Sequence, residues 1–450
     1  ARGVAHSREE KTYGLDRRLD AARIKLDAVV ERHPDFFQAL ARFLAAGNRI
    51  EIVAGNHDTE FCWPEVQQAF CDGVVRTWRT MPEASRPGAR GADDLRAAIG
   101  FHVWFYYEPG VAWIEHGHQY DECCSFEYNL NPADTSGQTI ISNVDSAAVR
   151  YVTNQIADVN PHGTDEWSMG GYLRLAAGMG WRGAVDLACG YYRFAATLIS
   201  EWRAARIGHE RRQRRAVHHE RLRALSETTP LSLSALRDLD AIQRPPVITN
   251  LRRLMKVLML DKLLVGITSL LLIVTAFAAL PLYLAALATV AVTVGARMSS
   301  AWLSRGRNVD SSVPLEIVPS RILEHVDARF VVFGHTHIAV AQPLDARLPA
   351  DDPGQRWYYN TGTWIPNGKP GFLHAFTHVM IRHTANGPVG TLCQWRDRAS
   401  RAFTPGWTPS LGAPTMEPTP ALGTPTTAAA AASADEESGS DFGESQARAA

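Results

Sequence analysis

The sequence predicts an α/β protein interrupted by a helical insert and a transmembrane helical hairpin. Three observations predict it. Apolar, β-branched runs end in polar, His-bearing segments at three places, and a charge-dense helical stretch separates the second from the third. A run from Leu263 to Val294 contains no charged residue at all.

The three apolar runs come first. Ile50-Glu51-Ile52-Val53-Ala54 precedes Gly55-Asn56-His57-Asp58, and Val111-Ala112-Trp113-Ile114-Glu115 precedes His116-Gly117-His118-Gln119-Tyr120-Asp121. Phe330-Val331-Val332-Phe333 precedes Gly334-His335-Thr336-His337. Each reads as a buried strand that delivers polar ligands at its C-terminal end, where open α/β sheets place their chemistry. Neutral imidazole and amide or carboxylate oxygens are ligands for divalent metals such as zinc, manganese and iron. In an extended segment alternate side chains point the same way, so His335 and His337 are expected to converge on one site. Glycine before each ligand lets the backbone turn tightly and leaves room beside it. A lone His-x-His is a weak signal, because two ordinary loop histidines give the same pattern. Gly-Asn-His-Asp after a strand is stronger, since four specified residues rarely coincide. His118 and Asp121 lie in the second segment and are further candidate ligands.

These segments, in this order, resemble the calcineurin-like metallophosphoesterase superfamily. Its blocks are Asp-x-His, Gly-Asp-x-x-Asp, Gly-Asn-His-Asp/Glu, a lone His and Gly-His-x-His. The resemblance covers roughly residues 36–128 and 314–396. It implies a two-sheet β-sandwich flanked by helices, and two divalent metal ions (Mn, Fe, Zn or Mg). It implies hydrolysis of a phosphate ester or anhydride. Carried over by position, Asn56, His116 and His335 bind one metal and His337 binds the other. His57 stands outside the ligand set, stabilising the transition state or protonating the leaving oxygen, with Asp58 orienting its ring. Asn360-Thr361-Gly362-Thr363 matches the family's Asn-x-Gly-Ser/Thr segment, which closes the sheet near the metals.

One departure matters. The Asp-x-His and Gly-Asp blocks that should precede Gly55 are absent. Upstream, apolar residues recur at helix spacing (Leu19, Ile24, Leu26, Val29, Val30, then Phe36, Phe37, Leu40, Phe43, Leu44), and Asp16, Asp20 and Asp27 read as solvated helix charges. The expectation is that two strands and the metal-bridging Asp belong before Ala1, and that the chain without that carboxylate is weak or inactive as an enzyme. The alternative is a degenerate homologue, a membrane-anchored scaffold or binding protein without catalysis.

Composition narrows the class. A chain of 450 residues holds one large domain or two to three smaller ones. A net charge of −1 gives no overall bias towards nucleic acid, and no stacking platform or recognised module suggests one. Six cysteines lack a framework spacing, which argues against a disulfide-stapled secreted fold. Cys123 and Cys124 read either as soft ligands or as small buried residues. No signal peptide is visible.

The charge-free run is too long for one straight crossing: as a single helix it would span about 50 Å, against a hydrocarbon core of about 30 Å. Pro281 near its middle would end or kink a helix. Asn56 and His116 precede the run while His335 and His337 follow it, so a shared site requires an even number of crossings. That favours a hairpin turning near Ala279-Leu280-Pro281-Leu282, each arm short for a full span; a shallow hairpin, a paired apolar dimer interface and a buried core hairpin are the alternatives. Arg252, Arg253, Lys256 and Lys262 before it, and Arg297, Arg305 and Arg307 after it, place both ends in the cytoplasm. Contact with anionic head groups follows from the same charges. A membrane hairpin beside the site favours an amphiphilic phosphorylated substrate, and some members of the family cleave nucleotide-linked lipid precursors, so a lipid-linked diphosphate is expected, with a soluble nucleotide or a phosphoprotein as the alternatives.

The remaining segments are an insert, three strands and a tail. Asn131–Gly137 is a loop by its breaker density. Helical patterns run near 138–158 and 183–225. The second ends in Arg203, Arg206, Arg211, Arg212, Arg214, Arg215, Arg221 and Arg223, interleaved with Glu201, Glu210 and Glu220. That run suits a basic helix at a membrane surface or beside a phosphorylated substrate, or equally a solvated face laced with ion pairs. Arg356–Trp364, Phe372–Arg382 and Val389–Trp395 read as strands. From about Thr404, Pro, Thr, Ala, Gly and Ser dominate, a composition unable to bury a core. The resulting division is 1–128, the first part of the metallophosphoesterase-like domain; 129–250, the insert; 251–300, the hairpin; 301–400, the second part; and 401–450, a disordered tail.

Overall fold

The structure is a computed structural model that describes residues 7–83, 90–156, 178–304, 312–349, 352, 354–365 and 375–405. Of the segment 401–450 expected to form a disordered tail, Arg401 and Ala402 instead end a strand, and 406–450 lie outside the described residues. Among those described, thirteen α-helices and ten strands in three sheets form a mixed α/β architecture.

Ile50–Val53 (β1) and Ile99–His102 (β2) pair in parallel. Phe105–Glu108 (β3), Ala112–Glu115 (β4), Phe330–Phe333 (β5), Ala339–Pro343 (β6) and Trp357–Thr361 (β7) form a five-stranded sheet in the order β3-β4-β5-β7-β6. Its middle strands β4, β5 and β7 are parallel, while β3 and β6 run antiparallel at its edges. Thr377–Thr384 (β8), Gly387–Arg396 (β9) and Ala399–Ala402 (β10) form an antiparallel sheet.

The helices follow the same logic. Arg8–Tyr13 is α1, Leu19–Arg32 is α2, and Pro34–Ala45 is α3. The apolar period read over Leu19–Leu44 thus resolves into two helices, broken where Pro34 disfavours helical backbone at His33. Phe37, Ala41 and Leu44 of α3 are buried at helix spacing. They share one cluster with Val74 of Pro64–Thr80 (α4), Leu95 of Ala92–Ala97 (α5) and Ile99 of β2. The insert contributes Val144–Tyr151 (α6), Gly180–Ala204 (α7), Gly208–Thr228 (α8) and Leu233–Ile242 (α9). The pattern read as one helix over 183–225 is two, with a break at Ile207. Charge is so dense between 201 and 215 that no apolar period survives to mark it.

β5 shows how the layers meet. All four of its residues are buried, as a strand covered on both faces requires. Val331 and Phe333 pack into a cluster with Trp104, Trp113 and Tyr358 and with Leu222, Leu236 and Leu239 from α8 and α9. Phe330 and Val332 face the other way, with Val111, Tyr359 and Leu392 of β9. Insert helices therefore cover one face of the central sheet. Part of the Arg-dense run is structural too. Arg214 is buried near Glu127 with its guanidinium over the Tyr128 ring, and Arg211 pairs with Glu127 at 2.8 Å.

Leu251–Val257 (α10) leads into Leu260–Ala279 (α11) and Leu282–Ser304 (α12), two antiparallel-connected helices separated by Leu280 and Pro281. Ser312–Ile322 (α13) then returns to the sheet. Both α11 and α12 are long and apolar enough to cross a membrane. They are longer than the charge-free run because the helices take in Asp261 and Lys262 at one end and Arg297 at the other. Twenty residues reach about 30 Å, a full hydrocarbon core. Leu264, Leu270, Leu271, Leu287 and Val290 project outward rather than into the protein.

Trp113 is fully buried and stacks on Phe105 with ring centroids 3.9 Å apart. Trp113→Ala should cost about 3–5 kcal/mol. Denaturant unfolding of the detergent-solubilised protein measures it, and a loss under about 1 kcal/mol would show that this face of the sheet does not depend on the stack.

Candidate functional site

Because β4, β5 and β7 are parallel neighbours, the loops that follow them emerge side by side. β4 leads into His116, β5 into Gly334-His335, and Asn360 is paired with Phe333 at the end of β7. Gly334 donates its backbone N–H to the His116 carbonyl at 3.1 Å, which fastens the first two loops together. Buried Asn360 fastens the third: its Nδ2 donates to the Gly334 carbonyl at 2.5 Å and to Thr336 Oγ1 at 3.1 Å, and its Oδ1 accepts from Gly362 N at 3.1 Å. Asn360 thus uses its amide to hold the loop carrying His335 and His337.

β1 supplies the fourth loop. Asp58 Oδ1 accepts from Gly55 N at 2.5 Å, and Thr59 Oγ1 donates to the carbonyls of Gly55 (2.9 Å) and Asn56 (3.2 Å). A Cβ on Gly55 would lie 2.6 Å from Cδ2 of His116, so only glycine lets this loop sit against that ring.

Five histidines converge here. The His116 ring lies 5.2 Å from His118 and 5.3 Å from His335, centroid to centroid. The charges of His118, His335, His57 and His337 all act on it. Asp121 Oδ2 is 3.2 Å from His335 Nε2, and one donor atom each from Asp121, Cys124 and His335 lie within 4.8 Å of one another, close enough that the three could hold a metal ion. Asn56 donates from Nδ2 to Asp145 Oδ2 at 2.9 Å, and the same oxygen lies 3.5 Å from His57 Nε2.

Burial sets the protonation states. It holds His116 well below its ordinary value, helped by the surrounding histidines, and it holds His118 down to about 3. Both rings are therefore neutral near pH 7, the form that ligates metal. Burial works to raise Asp121, but the hydrogen bond and charge of His335 outweigh it and keep the carboxyl below its usual range. Burial pushes Asp58 up, against the Gly55 N–H bond. It pushes Glu115, which accepts from Trp104, Gln119 and Tyr120, up to about 7.

The donor set fits divalent metal. Buried polar atoms are ordinarily hydrogen-bonded. Asn56 Oδ1, His116 Nδ1 and His118 Nδ1 are buried with no hydrogen-bond partner, three lone-pair-bearing atoms in one neighbourhood. A site of amide oxygen, imidazole, carboxylate and thiol is one that zinc, iron or manganese accepts.

Several arrangements differ from the sequence reading. His335 and His337 do not converge through strand alternation. Both have left-handed backbone, φ 66° and 60°, in the turn that follows β5. Non-glycine residues hold that conformation where their surroundings over-determine it, as Asn360 does here. Asp58 turns its carboxylate to the Gly55 N–H, and His57 lies at ion-pair distance from Asp145. Asp145 itself, at the start of α6 in the insert, carries no sequence signal of this kind, since neither a strand nor a glycine precedes it.

The chain matches no family model, no curated protein and no solved structure.

A depressed histidine makes stability depend on acid. The unfolded chain takes up a proton at His118 near pH 6.5, while the folded ring stays neutral to about 3, so stability falls as pH drops through that window. Thermal melts in chelator from pH 7.5 to 4.5 should show a shallower acid decline for His118→Gln than for the wild type. Equal slopes would place the acid sensitivity elsewhere.

Proposed function

We propose that this protein is a membrane-associated, metal-dependent phosphoesterase of the calcineurin-like type, acting on a phosphate ester or anhydride. The observation that carries the reading is the convergence of Asn56, His57, His116, His118 and His335 from separate strand ends, with buried ligand atoms left without hydrogen bonds. Asn56, His116 and His335 would hold one divalent ion and His337 the second, with Asp121 and Cys124 adding an oxygen and a sulfur beside His335. Bound there, such ions lower the pKa of a water and neutralise the charge of phosphoryl oxygens.

The chain's own residues divide the remaining work. His118 is buried and His116 partly buried, and both are held neutral, which suits ligation. The His57 side chain is 54% exposed, at the mouth of the site, where it can reach a leaving oxygen and stabilise or protonate it. Gly55 and Asp58 fix the loop that presents it.

The substrate class follows from the hairpin. His116 and His335 lie on opposite sides of α11 and α12 in sequence yet their rings are 5.3 Å apart, which supports reading the two helices as a pair that crosses a bilayer and returns. A catalytic centre held at a bilayer surface suits an amphiphilic, lipid-linked phosphate or diphosphate. Basic residues at the hairpin ends support a cytoplasmic side for that centre.

Two measurements test this reading. Full-length, detergent-solubilised protein should hydrolyse an activated aryl phosphate or phosphodiester after loading with Mn²⁺ and lose that activity in chelator. His57→Ala should lower kcat by about 10²–10⁴-fold with KM little changed. Absence of bound metal in the wild type, or an unaltered kcat in the variant, would remove the proposed chemistry. Protease treatment of sealed, right-side-out cells should spare the sheet-bearing domain, and its rapid digestion would reverse the assigned orientation.

A further inference from the structure

Asp145 belongs to the insert, yet it touches two of the polar residues presented by the β1 loop, Asn56 and His57. Its Oδ2 accepts from Asn56 Nδ2 at 2.9 Å and lies 3.5 Å from His57 Nε2. The first contact decides which way the Asn56 amide faces. With the NH₂ group against a carboxylate, Oδ1 is turned away from it, and that oxygen is buried with no partner. The reverse flip would set amide oxygen against carboxylate oxygen, two acceptors with no proton between them.

The element that carries Asp145 is well anchored. Asn143 caps α6 by accepting from Ser146 N at 2.8 Å, and its Nδ2 donates to the Cys124 carbonyl at 2.6 Å. Val144 N donates to the Cys123 carbonyl at 3.0 Å. Val144, Ala147 and Tyr151 are buried in a cluster with Leu187, Phe194 and Leu198 of α7 and Leu254 of α10. Asp145 is thus held by the segment that carries Asp121 and Cys124, and by the helices at the base of the hairpin. A carboxylate fixed in this way orients a ligand amide without ordering cost at the moment of binding.

We propose that Asp145 is a positioning residue of the metal centre. It locks the Asn56 amide so that Oδ1 is presented as a ligand, and it holds the ring of His57 beside it. This inference rests on the metal-centre reading above and adds to it a residue from outside the segments that resemble the family.

Mn²⁺ binding to the detergent-solubilised protein, followed by the electron paramagnetic resonance signal of free Mn²⁺, tests it apart from activity. Asp145→Leu removes the acceptor and should weaken Mn²⁺ binding about 10–100-fold. Asp145→Asn keeps an oxygen that can accept from Asn56 Nδ2, and should recover most of that loss although it removes the charge. Asp145→Ala repeats the deletion without added bulk, and thermal melts in chelator verify that each variant is folded. Leu and Ala variants that bind within about twofold of the wild type would overturn the proposal, as would an Asn variant as weak as the Leu variant. If the wild type itself binds no Mn²⁺, the metal centre falls and this inference falls with it. Normal wild-type binding with unaffected variants sinks the role of Asp145 alone.

Discussion

Parallel pairing of β4, β5 and β7 is the constraint from which the site follows. Parallel strands end at the same edge of a sheet, so the loops after them are neighbours whatever their separation in sequence. His116 and His335 are more than two hundred residues apart in the chain and belong to adjacent loops for this reason alone. Backbone and amide hydrogen bonds then remove the freedom that remains: Gly334 to His116, and Asn360 to Gly334 and Thr336. The left-handed conformations of His335 and His337 are sustained by that fastening.

The insert takes part in both the core and the site. Leu222, Leu236 and Leu239 cover the face of the central sheet that Val331 and Phe333 present, so its helices replace solvent on a strand that must be covered on both sides. Its Arg-dense helix is held to Glu127 and Tyr128 by Arg211 and Arg214; Arg214 is buried in that packing, while Arg211 pairs with Glu127 from the exposed side. From the same region α6 extends Asp145 towards the β1 loop. Elements that look like an appendage to the strand-bearing segments are structurally continuous with them.

The hairpin joins this body through α10. Leu254 and Leu258 lie in the cluster that also contains Val144 and Leu198, and Arg253 pairs with Glu122, next to Asp121. The apolar helices α11 and α12 therefore leave the protein from the side of the molecule that supports the site.

The sequence by itself determined the mixed α/β character, the positions of β1, β4 and β5, the polar segments after them and the two apolar helices. These are properties of local periodicity and composition: buried strands are β-branched runs, and a charge-free stretch of this length has few other uses. It was silent on β2, β3 and β10, whose short runs carry little periodic signal, and on the break between α7 and α8, where charge hides it. It named Asn56, His57, His116, His118, Asp121, His335, His337 and Asn360, but their relations were not legible. That Asn360 holds a loop, that Asp58 binds the Gly55 N–H and that Asp145 reaches Asn56 depend on which side chains meet across hundreds of residues. Periodicity reports what each segment buries, whereas partner choice is set by the pairing of strands and the packing of the insert, and only the tertiary structure decided it.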